Sequence, residues 1–182
     1  MNIWHDIDRF RVTPENCAAV IEIPKGSKQK YELDKKTGLL LLDRVLYTST
    51  HYPANYGFIP LTLSKDGDPL DILVLCQEPI QPMTLVQCYP IGVLKMVDDD
   101  AIDEKIIAIP FGDPSMNCYK DISDLPLHMF NEIKHFFEVY KALENKVTKV
   151  EHILGRVRAE ETIMECMQEY NEAYGKGDEN DG

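Results

Sequence analysis

Three aspartates within six residues form the strongest chemical signal in this sequence. Residues 66–71 read D-G-D-P-L-D, so that Asp66, Asp68 and Asp71 share one short turn built by the intervening glycine and proline. Carboxylates this close repel one another unless a cation lies among them, and Asp71 leads directly into the apolar run 72–75, where an unpaired charge is costly. The segment therefore predicts a divalent-metal site used for phosphate chemistry rather than a solvated acidic turn. It is not an EF-hand loop, because its fifth, sixth and twelfth positions lack the required ligand, glycine and acid.

A second acidic run follows the predicted strand 91–97. It contains Asp98, Asp99, Asp100 and Asp103. Taken alone, this run has two interpretations, a charged hairpin turn or a second set of metal ligands. The presence of two acidic runs, each at the end of a strand, favours the second interpretation, since together they could hold several hard cations through oxygen ligands.

Basic and phenolic side chains supply what an anion held between such metals would need. The basic candidates stand at strand ends or at the end of a predicted helix: Lys30, Arg44, Lys105 and Lys141. Arginine suits forked contact with phosphate and lysine suits point-charge contact, although each residue alone is better explained as structural. Within the aromatic segment 51–59, we assign Tyr56 to the site and interpret Tyr52 as core packing.

The elements that must position these residues are short strands followed by helices. The predicted strands cover 17–23, 28–33, 38–44, 72–75, 84–89, 91–97 and 105–109. A change of period predicts a helix over 124–144, capped by Ser123 or Asp124, and a second helix over about 156–173 that ends at Gly175. This order indicates a mainly β chain with α-helices, folded as a small antiparallel barrel or sandwich with the helices outside.

Composition limits the classes of function. The 182 residues suit one domain, which we assign to 1–175, followed by an acidic tail over 176–182 that is predicted to be disordered. A formal net charge of −12 argues against nucleic-acid binding, and no apolar stretch is long enough to predict a membrane span. The N-terminus lacks the features of a secretory signal, and the five cysteines lack metal-type spacing. These features predict a cytoplasmic protein with reduced, buried thiols and with no membrane or nucleic-acid partner.

Ordered sequence blocks resemble those of the soluble inorganic pyrophosphatases of family I, in their prokaryotic type. The resemblance covers roughly residues 15–150. The most specific block is D-G-D-P-L-D-I-L-V, and the others, in chain order, are V-I-E-I-P, K-Y-E, D-R, Y-P-A-N-Y-G-F-I, G-V-L-K-M-x-D, D-x-K and H-F-F-x-x-Y-K. Coincidence does not explain so many blocks in one order.

The resemblance implies a fold, a reaction and a set of residue roles. The fold is a five-stranded OB-type β-barrel with peripheral helices. The reaction is Mg²⁺-dependent hydrolysis of pyrophosphate to two orthophosphates by direct attack of metal-activated water, with several Mg²⁺ ions per active site, Mn²⁺ or another divalent ion as a substitute, and a homo-hexameric assembly. The implied metal ligands are Asp66, Asp71, Asp98 and Asp103. Asp68 accepts a proton from the attacking water. The implied phosphate-binding residues are Lys30, Arg44, Tyr56, Lys105, Tyr140 and Lys141, and the supporting residues are Glu22, Glu32, Tyr52 and Asp99.

Two other functions are compatible with parts of the pattern. A metal-dependent phosphohydrolase acting on nucleotides would add a pocket for base stacking. A non-catalytic OB-type module would need a basic groove with exposed aromatic residues, and the acidic balance counts against it. Other catalytic motifs are missing, since the sequence has no P-loop, no G-x-S-x-G elbow and no H-E-x-x-H pair.

Overall fold

The apolar segments of the first two-thirds of the chain pair into a barrel, and the helices pack outside it. The structure is a computed structural model that describes residues 1–175; the predicted acidic tail, 176–182, lies outside the described residues. The strands are β1 (Cys17–Ile23), β2 (Gln29–Leu33), β3 (Leu40–Val45), β4 (Asn55–Ile59), β5 (Leu70–Val74), β6 (Leu85–Asp98), β7 (Ala101–Pro110) and β8 (Thr148–Gly155). The helices are α1 (Leu127–Val139) and α2 (Arg156–Tyr174), and short 3₁₀ turns span Arg9–Arg11, Ile122–Asp124 and Ala142–Glu144.

Five strands close the barrel. Hydrogen-bonded neighbours run in the order β1–β4–β5–β7–β6, and β6 pairs back with β1 through residues 85–88. These pairs are antiparallel except β5–β7, which is parallel and aligns Asp71 with Lys105. β8 pairs with β6 outside the closed ring, and β2 and β3 form a separate hairpin. The predicted five-stranded OB-type barrel with peripheral helices is confirmed, whereas the expectation of antiparallel pairing throughout is wrong for β5 and β7.

Strand β6 is a single element where the sequence predicted two strands. Its 14 residues run through Pro90 with a register irregularity between Pro90 and Gly92. Along one edge β6 pairs first with β1 and then with β8, and along the other edge it pairs with β7. The strand therefore ties the barrel to the segment that leads into α2.

Strand β4 was not predicted as a strand, and it is buried along its whole length. All five of its residues are buried, so the alternation that reveals a half-buried strand is missing. Gly57 lies opposite Ile21 of β1. A Cβ atom at Gly57 would fall 1.8 Å from the carbonyl oxygen of Val20. The glycine is therefore required by the close approach of two backbones, and it fixes the position of its neighbour Tyr56.

The two helices cover different parts of the barrel. The apolar face of α1 buries Ile133, Phe136 and Phe137 in the same cluster as Tyr56, whereas α2 packs through Ala159 and Ile163 into a second cluster. Helix α1 begins later than predicted, because Ser123 and Asp124 belong to a separate 3₁₀ turn. Helix α2 ends at Gly175, as predicted.

Two further expectations concern the chain as a whole. Within residues 1–175, no helix is long and apolar enough to cross a membrane. The five cysteines are free thiols, and Cys17 and Cys88 are buried. The expectation that every thiol is buried is wrong for Cys118, which is exposed.

Candidate active site

A cleft of about 550 Å³ gathers most of the predicted site residues. Its walls come from β1, the β2–β3 hairpin, β4, the loop before β5, the ends of β6 and β7, and the segment that follows α1. The predicted residues that line it are Glu22, Lys30, Glu32, Tyr56, Asp66, Asp68, Asp71, Asp98, Asp103, Lys105, Tyr140 and Lys141. The two acidic runs thus face one space, as the sequence predicted.

The first acidic run is a tight turn that enters β5. Gly67 has a φ of +85°, a conformation that glycine adopts without strain. The carboxylate of Asp66 accepts a hydrogen bond from the backbone N–H of Asp68 at 2.9 Å. Asp71 already belongs to β5, so the sheet fixes its direction. Local turn chemistry and strand pairing therefore hold the three carboxylates on one side of the cleft.

The second acidic run is a hairpin turn whose flanks enter the cleft. Asp99 and Asp100 occupy the turn between β6 and β7 with φ values of +48° and +64°, so the interpretation as a charged hairpin is also right. Asp98 ends β6, and Asp103 lies on β7, where both line the cleft. The hairpin thus directs only the aspartates that flank its tip toward the first run.

Lys105 is the electrostatic centre of the cleft. Its ammonium group is almost completely buried, donates to Asp71 Oδ2 at 2.7 Å and to Tyr56 Oη at 2.8 Å, and lies 3.0 Å from Asp103 Oδ2. Burial lowers the pKa of Lys105. The neighbouring Asp71, Tyr56 and Asp103 raise it by more than burial lowers it, so that the pKa lies well above its ordinary value. Lys105 is therefore a permanent positive charge between the two acidic runs.

Lys105 does not fully neutralise the carboxylates around it. Burial and the charge of Asp71 raise the pKa of Asp103 despite Lys105. Burial and the neighbouring Asp68 and Asp71 likewise raise the pKa of Asp66. One carboxylate oxygen of Asp98, Oδ1, is buried without a hydrogen-bond partner in the described chain. Additional cations would relieve each of these costs.

Lysines occupy the space between the carboxylates. Besides Lys105, Lys141 pairs with Asp98, and Lys35 pairs with Asp68. In the part of the chain that the structure describes, no three acidic, histidine or cysteine side chains meet in a ready metal-binding group. Binding of metals to these carboxylates would therefore require some of the lysines to exchange partners.

Two tyrosines face the cleft from its buried side. Tyr56 and Tyr140 are both buried, and burial is the main cause that raises the pKa of each phenol well above its ordinary value. Both hydroxyl groups therefore keep their protons and can donate hydrogen bonds. Tyr52 lies behind them, with its ring 5.5 Å from that of Tyr56 and 4.8 Å from that of Phe136. Tyr52 therefore belongs to the core, as predicted.

Comparisons with known proteins show the family of this chain. The family model described as inorganic pyrophosphatase matches residues 19–171. The chain belongs to the inorganic pyrophosphatase family. Soluble inorganic pyrophosphatase 2 of Chlamydomonas reinhardtii is 49% identical over 171 residues, which cover 94% of this chain and 89% of that protein.

Solved structures support the same membership. The inorganic pyrophosphatase of Helicobacter pylori is 46% identical, with a TM-score of 0.85 over 87% of this chain and 95% of that chain. That of Thermus thermophilus is 40% identical, with a TM-score of 0.89 over 94% of this chain and 99% of that chain. The resemblance inferred from the sequence blocks is confirmed, including its prokaryotic type.

Two predicted polar residues of this pyrophosphatase-family chain lie outside the cleft lining. Arg44, opposite Lys30 in the β2–β3 hairpin, donates from Nη1 to Asp43 at 2.5 Å, and its Nε lies 2.9 Å from a carboxylate oxygen of Glu144. Asp99 is at the exposed tip of the β6–β7 hairpin, 3.6 Å from Lys146. The structure therefore keeps Arg44 and Asp99 near the cleft but engaged with other side chains.

Two residues of the cleft lining were not predicted from the sequence. Lys35 belongs to the turn between β2 and β3, and Trp4 precedes the part of the chain that the family model matches. Both line the cleft, and the Lys35 ammonium lies 4.9 Å from the centre of the Trp4 ring. No spacing rule distinguishes Lys35 from a surface lysine, because its contacts depend on how the hairpin packs.

Proposed function

We propose that this cleft hydrolyses inorganic pyrophosphate to two orthophosphates with the help of Mg²⁺. The observation that supports the proposal most strongly is the convergence of two acidic runs and several lysines on one cleft, in a chain of the inorganic pyrophosphatase family. Carboxylates alone would repel a polyanion, and lysines alone would not activate water. The mixture suits a reaction in which cations and anionic phosphate share one site.

The residues present fit a hard divalent cation. The metal ligands in this proposal are Asp66, Asp71, Asp98 and Asp103. All supply carboxylate oxygens, which Mg²⁺ prefers, and Oδ1 of Asp98 has no hydrogen-bond partner within residues 1–175. Mg²⁺ held there would make water more acidic near neutral pH and neutralise charge on the phosphoryl oxygens. Mn²⁺ or another divalent ion would serve through the same oxygens.

The basic and phenolic groups bind the substrate. Lys30, Lys105 and Lys141 neutralise phosphoryl oxygens, and the protonated phenols of Tyr56 and Tyr140 donate hydrogen bonds to them. Arg44 completes the set in this proposal. To do so, its guanidinium group turns from Glu144 toward the cleft. These donors stabilise the charge that develops on the leaving phosphate as the bridging P–O bond breaks.

Asp68 takes the proton from the attacking water. Its side chain is 58% exposed and lines the cleft, so that water can reach it. The oxygen of water forms a bond to one phosphorus atom, its proton passes to Asp68, and the bond from that phosphorus atom to the bridging oxygen breaks. No nucleophilic side chain is required, in agreement with the missing G-x-S-x-G motif.

The remaining predicted residues have supporting roles. Glu22 accepts a hydrogen bond from the backbone N–H of Leu33 at 2.8 Å and so fixes the hairpin that carries Lys30. Glu32 pairs with Lys30 directly. Tyr52 packs behind Tyr56, and Asp99 shapes the tip of the acidic hairpin. These contacts position the substrate-binding groups rather than touch the reacting atoms.

The same proposal extends to the organisation of the protein. We infer one catalytic domain over residues 1–175, a homo-hexamer in solution and a location in the cytoplasm. The resemblance to the prokaryotic pyrophosphatases supports the assembly. Analytical ultracentrifugation tests it, and a sedimentation coefficient of a monomer at micromolar concentration would contradict it.

Phosphate release is the experiment that tests the function. Pyrophosphate, ATP and tripolyphosphate are each supplied with Mg²⁺, and matched reactions contain EDTA. We expect rapid release from pyrophosphate with Mg²⁺ and little release in EDTA or from ATP. Faster release from ATP than from pyrophosphate would favour the nucleotide phosphohydrolase. Binding of an oligonucleotide without any phosphate release would favour the non-catalytic module.

A further inference from the structure

Lys35 is an exposed basic residue in the lining of the cleft. Its ammonium group pairs with the carboxylate of Asp68 and lies over the face of the Trp4 ring. The side chains of Lys35 and Asp68 are 42% and 58% exposed. An ion pair this exposed is weak, because water and salt compete for both charges. A polyanion entering the cleft can therefore take Lys35 away from Asp68.

Trp4 is held by hydrogen bonds to the segment that precedes the first acidic run. It is buried, its indole N–H donates to the carbonyl of Thr62 at 2.9 Å, and its own carbonyl accepts from the N–H of Leu61 at 3.0 Å. The hydroxyl of Thr62 in turn accepts from the N–H of Leu70 at 2.9 Å. The ring under Lys35 is therefore fixed relative to the turn 66–71, and a cation over its face is attracted to it.

From these contacts, and resting on the proposed pyrophosphatase activity, we propose that Lys35 is a further substrate-binding residue. The rigid Trp4 ring holds the Lys35 ammonium group at the mouth of the cleft. In the free protein Lys35 pairs with Asp68. When pyrophosphate enters, Lys35 transfers to a phosphoryl oxygen, and the carboxylate of Asp68 becomes free to accept a proton. One lysine thus binds substrate and releases the base in the same exchange.

The neighbouring lysine provides a matched control. Lys36 lies in the same turn and borders the same cleft, but within residues 1–175 its ammonium group has no ion-pair partner. Lys35→Gln and Lys36→Gln therefore remove the same charge from adjacent positions. Lys35→Arg keeps a positive charge that can lie over Trp4.

Two measurements on the Mg²⁺-loaded enzyme test the proposal. In pyrophosphate hydrolysis, Lys35→Gln should raise KM about tenfold, since it removes a hydrogen bond between charged groups, with kcat changed less than twofold. Lys36→Gln should change KM less than twofold, and Lys35→Arg should restore most of the loss. Trp4 is the single tryptophan, so its fluorescence reports the exchange. Titration with orthophosphate should change the emission of the wild type and of Lys36→Gln but not that of Lys35→Gln.

The possible outcomes separate this proposal from the proposed function. A wild type that hydrolyses pyrophosphate, combined with equal KM values for Lys35→Gln and Lys36→Gln, overturns the role of Lys35 and leaves the function standing. The role of Lys35 is also overturned if saturating orthophosphate leaves the Trp4 emission of active enzyme unchanged. A folded wild type without activity on pyrophosphate removes the function, and the Lys35 proposal with it. Circular dichroism of each variant confirms that the fold is intact.

Discussion

Replacing Glu22 with glutamine is expected to stabilise the metal-free protein at alkaline pH. Glu22 is buried on β1 beside the cleft, and burial is the main cause that raises the pKa of its carboxyl from 4.5 to about 8, with the charges of Asp71 and Glu32 adding to the effect. Glutamine has the same shape and can still accept the hydrogen bond from Leu33. The substitution thus removes the ionisation and little else.

The sign and size of the effect follow from the two pKa values. Below pH 4.5 the carboxyl is protonated in both the folded and the unfolded chain, so ionisation contributes nothing. Between pH 4.5 and about 8 the unfolded chain loses the proton while the folded chain keeps it, and the free energy of unfolding falls as the pH rises. Above pH 8 the deficit is constant. A difference of about 3.5 pH units corresponds to at most roughly 5 kcal/mol.

Urea unfolding in EDTA at pH 5, 7 and 9 measures this difference. The stability of Glu22→Gln relative to the wild type should increase from pH 5 to pH 9 by several kcal/mol. Other titrating groups cancel in the comparison, because both proteins contain them. Glu151→Gln, at an exposed position of β8, is the control and should show the same gap at each pH. A gap for Glu22→Gln that stays constant from pH 5 to pH 9, or that shrinks, would refute the reasoning.

Three further predictions concern the base, the metals and the barrel. Asp68→Asn removes the proton acceptor but keeps its shape, so kcat should fall about 10²–10⁴-fold. Mg²⁺ should still raise the melting temperature of this variant. Near-normal turnover at pH 7 would contradict the assignment of Asp68 as the base. Mg²⁺ at about 100 times its Kd should raise the melting temperature of the wild type by roughly 5–10 °C in calorimetry, since it binds only the folded state. An unchanged melting temperature in active protein would count against a metal site in the cleft. Gly57→Ala should lower the free energy of unfolding by about 3 kcal/mol or more in urea, because its Cβ meets the backbone of β1. Gly112→Ala, where nothing lies within 4 Å, is the matched control, and equal losses for the two variants would exclude the steric explanation.

Strands with a clear apolar or alternating sequence pattern were predicted, and strands without such a pattern were missed. β1, β2 and β3 match their predictions to within two residues at each end. β4 was missed because it is buried on both faces, and β8 because charged and apolar residues share it. The sequence predicted separate strands over 84–89 and 91–97, but a local irregularity accommodates Pro90 without ending β6. The parallel pairing of β5 with β7 depends on long-range contacts that no local pattern records.

The part of the candidate site that was predicted is the part in which the residue types alone indicate the chemistry. The two acidic runs meet, as their shared need for cations indicated, and Lys105 lies between them. The contact of Arg44 with Glu144 could not be predicted, since the two residues are 100 positions apart in the chain. The contact of Lys35 with Trp4 was missed for the same reason. Chemistry could be inferred from local sequence, whereas the pairing of each charge required the fold.

Barrel closure also sets an order of events in time. Residues 17–20 pair with β6 only when 85–88 exist, and Asp98 meets Lys141 only after the chain has passed through α1. Pairings between distant parts of a chain slow folding, and synthesis proceeds from the N-terminus. A nascent chain released as far as β5 therefore carries the turn 66–71 without any of the lysines that follow it. A chain stopped before α1 therefore has all five barrel strands and both acidic runs, but it lacks Tyr140 and Lys141 and its cleft is incomplete.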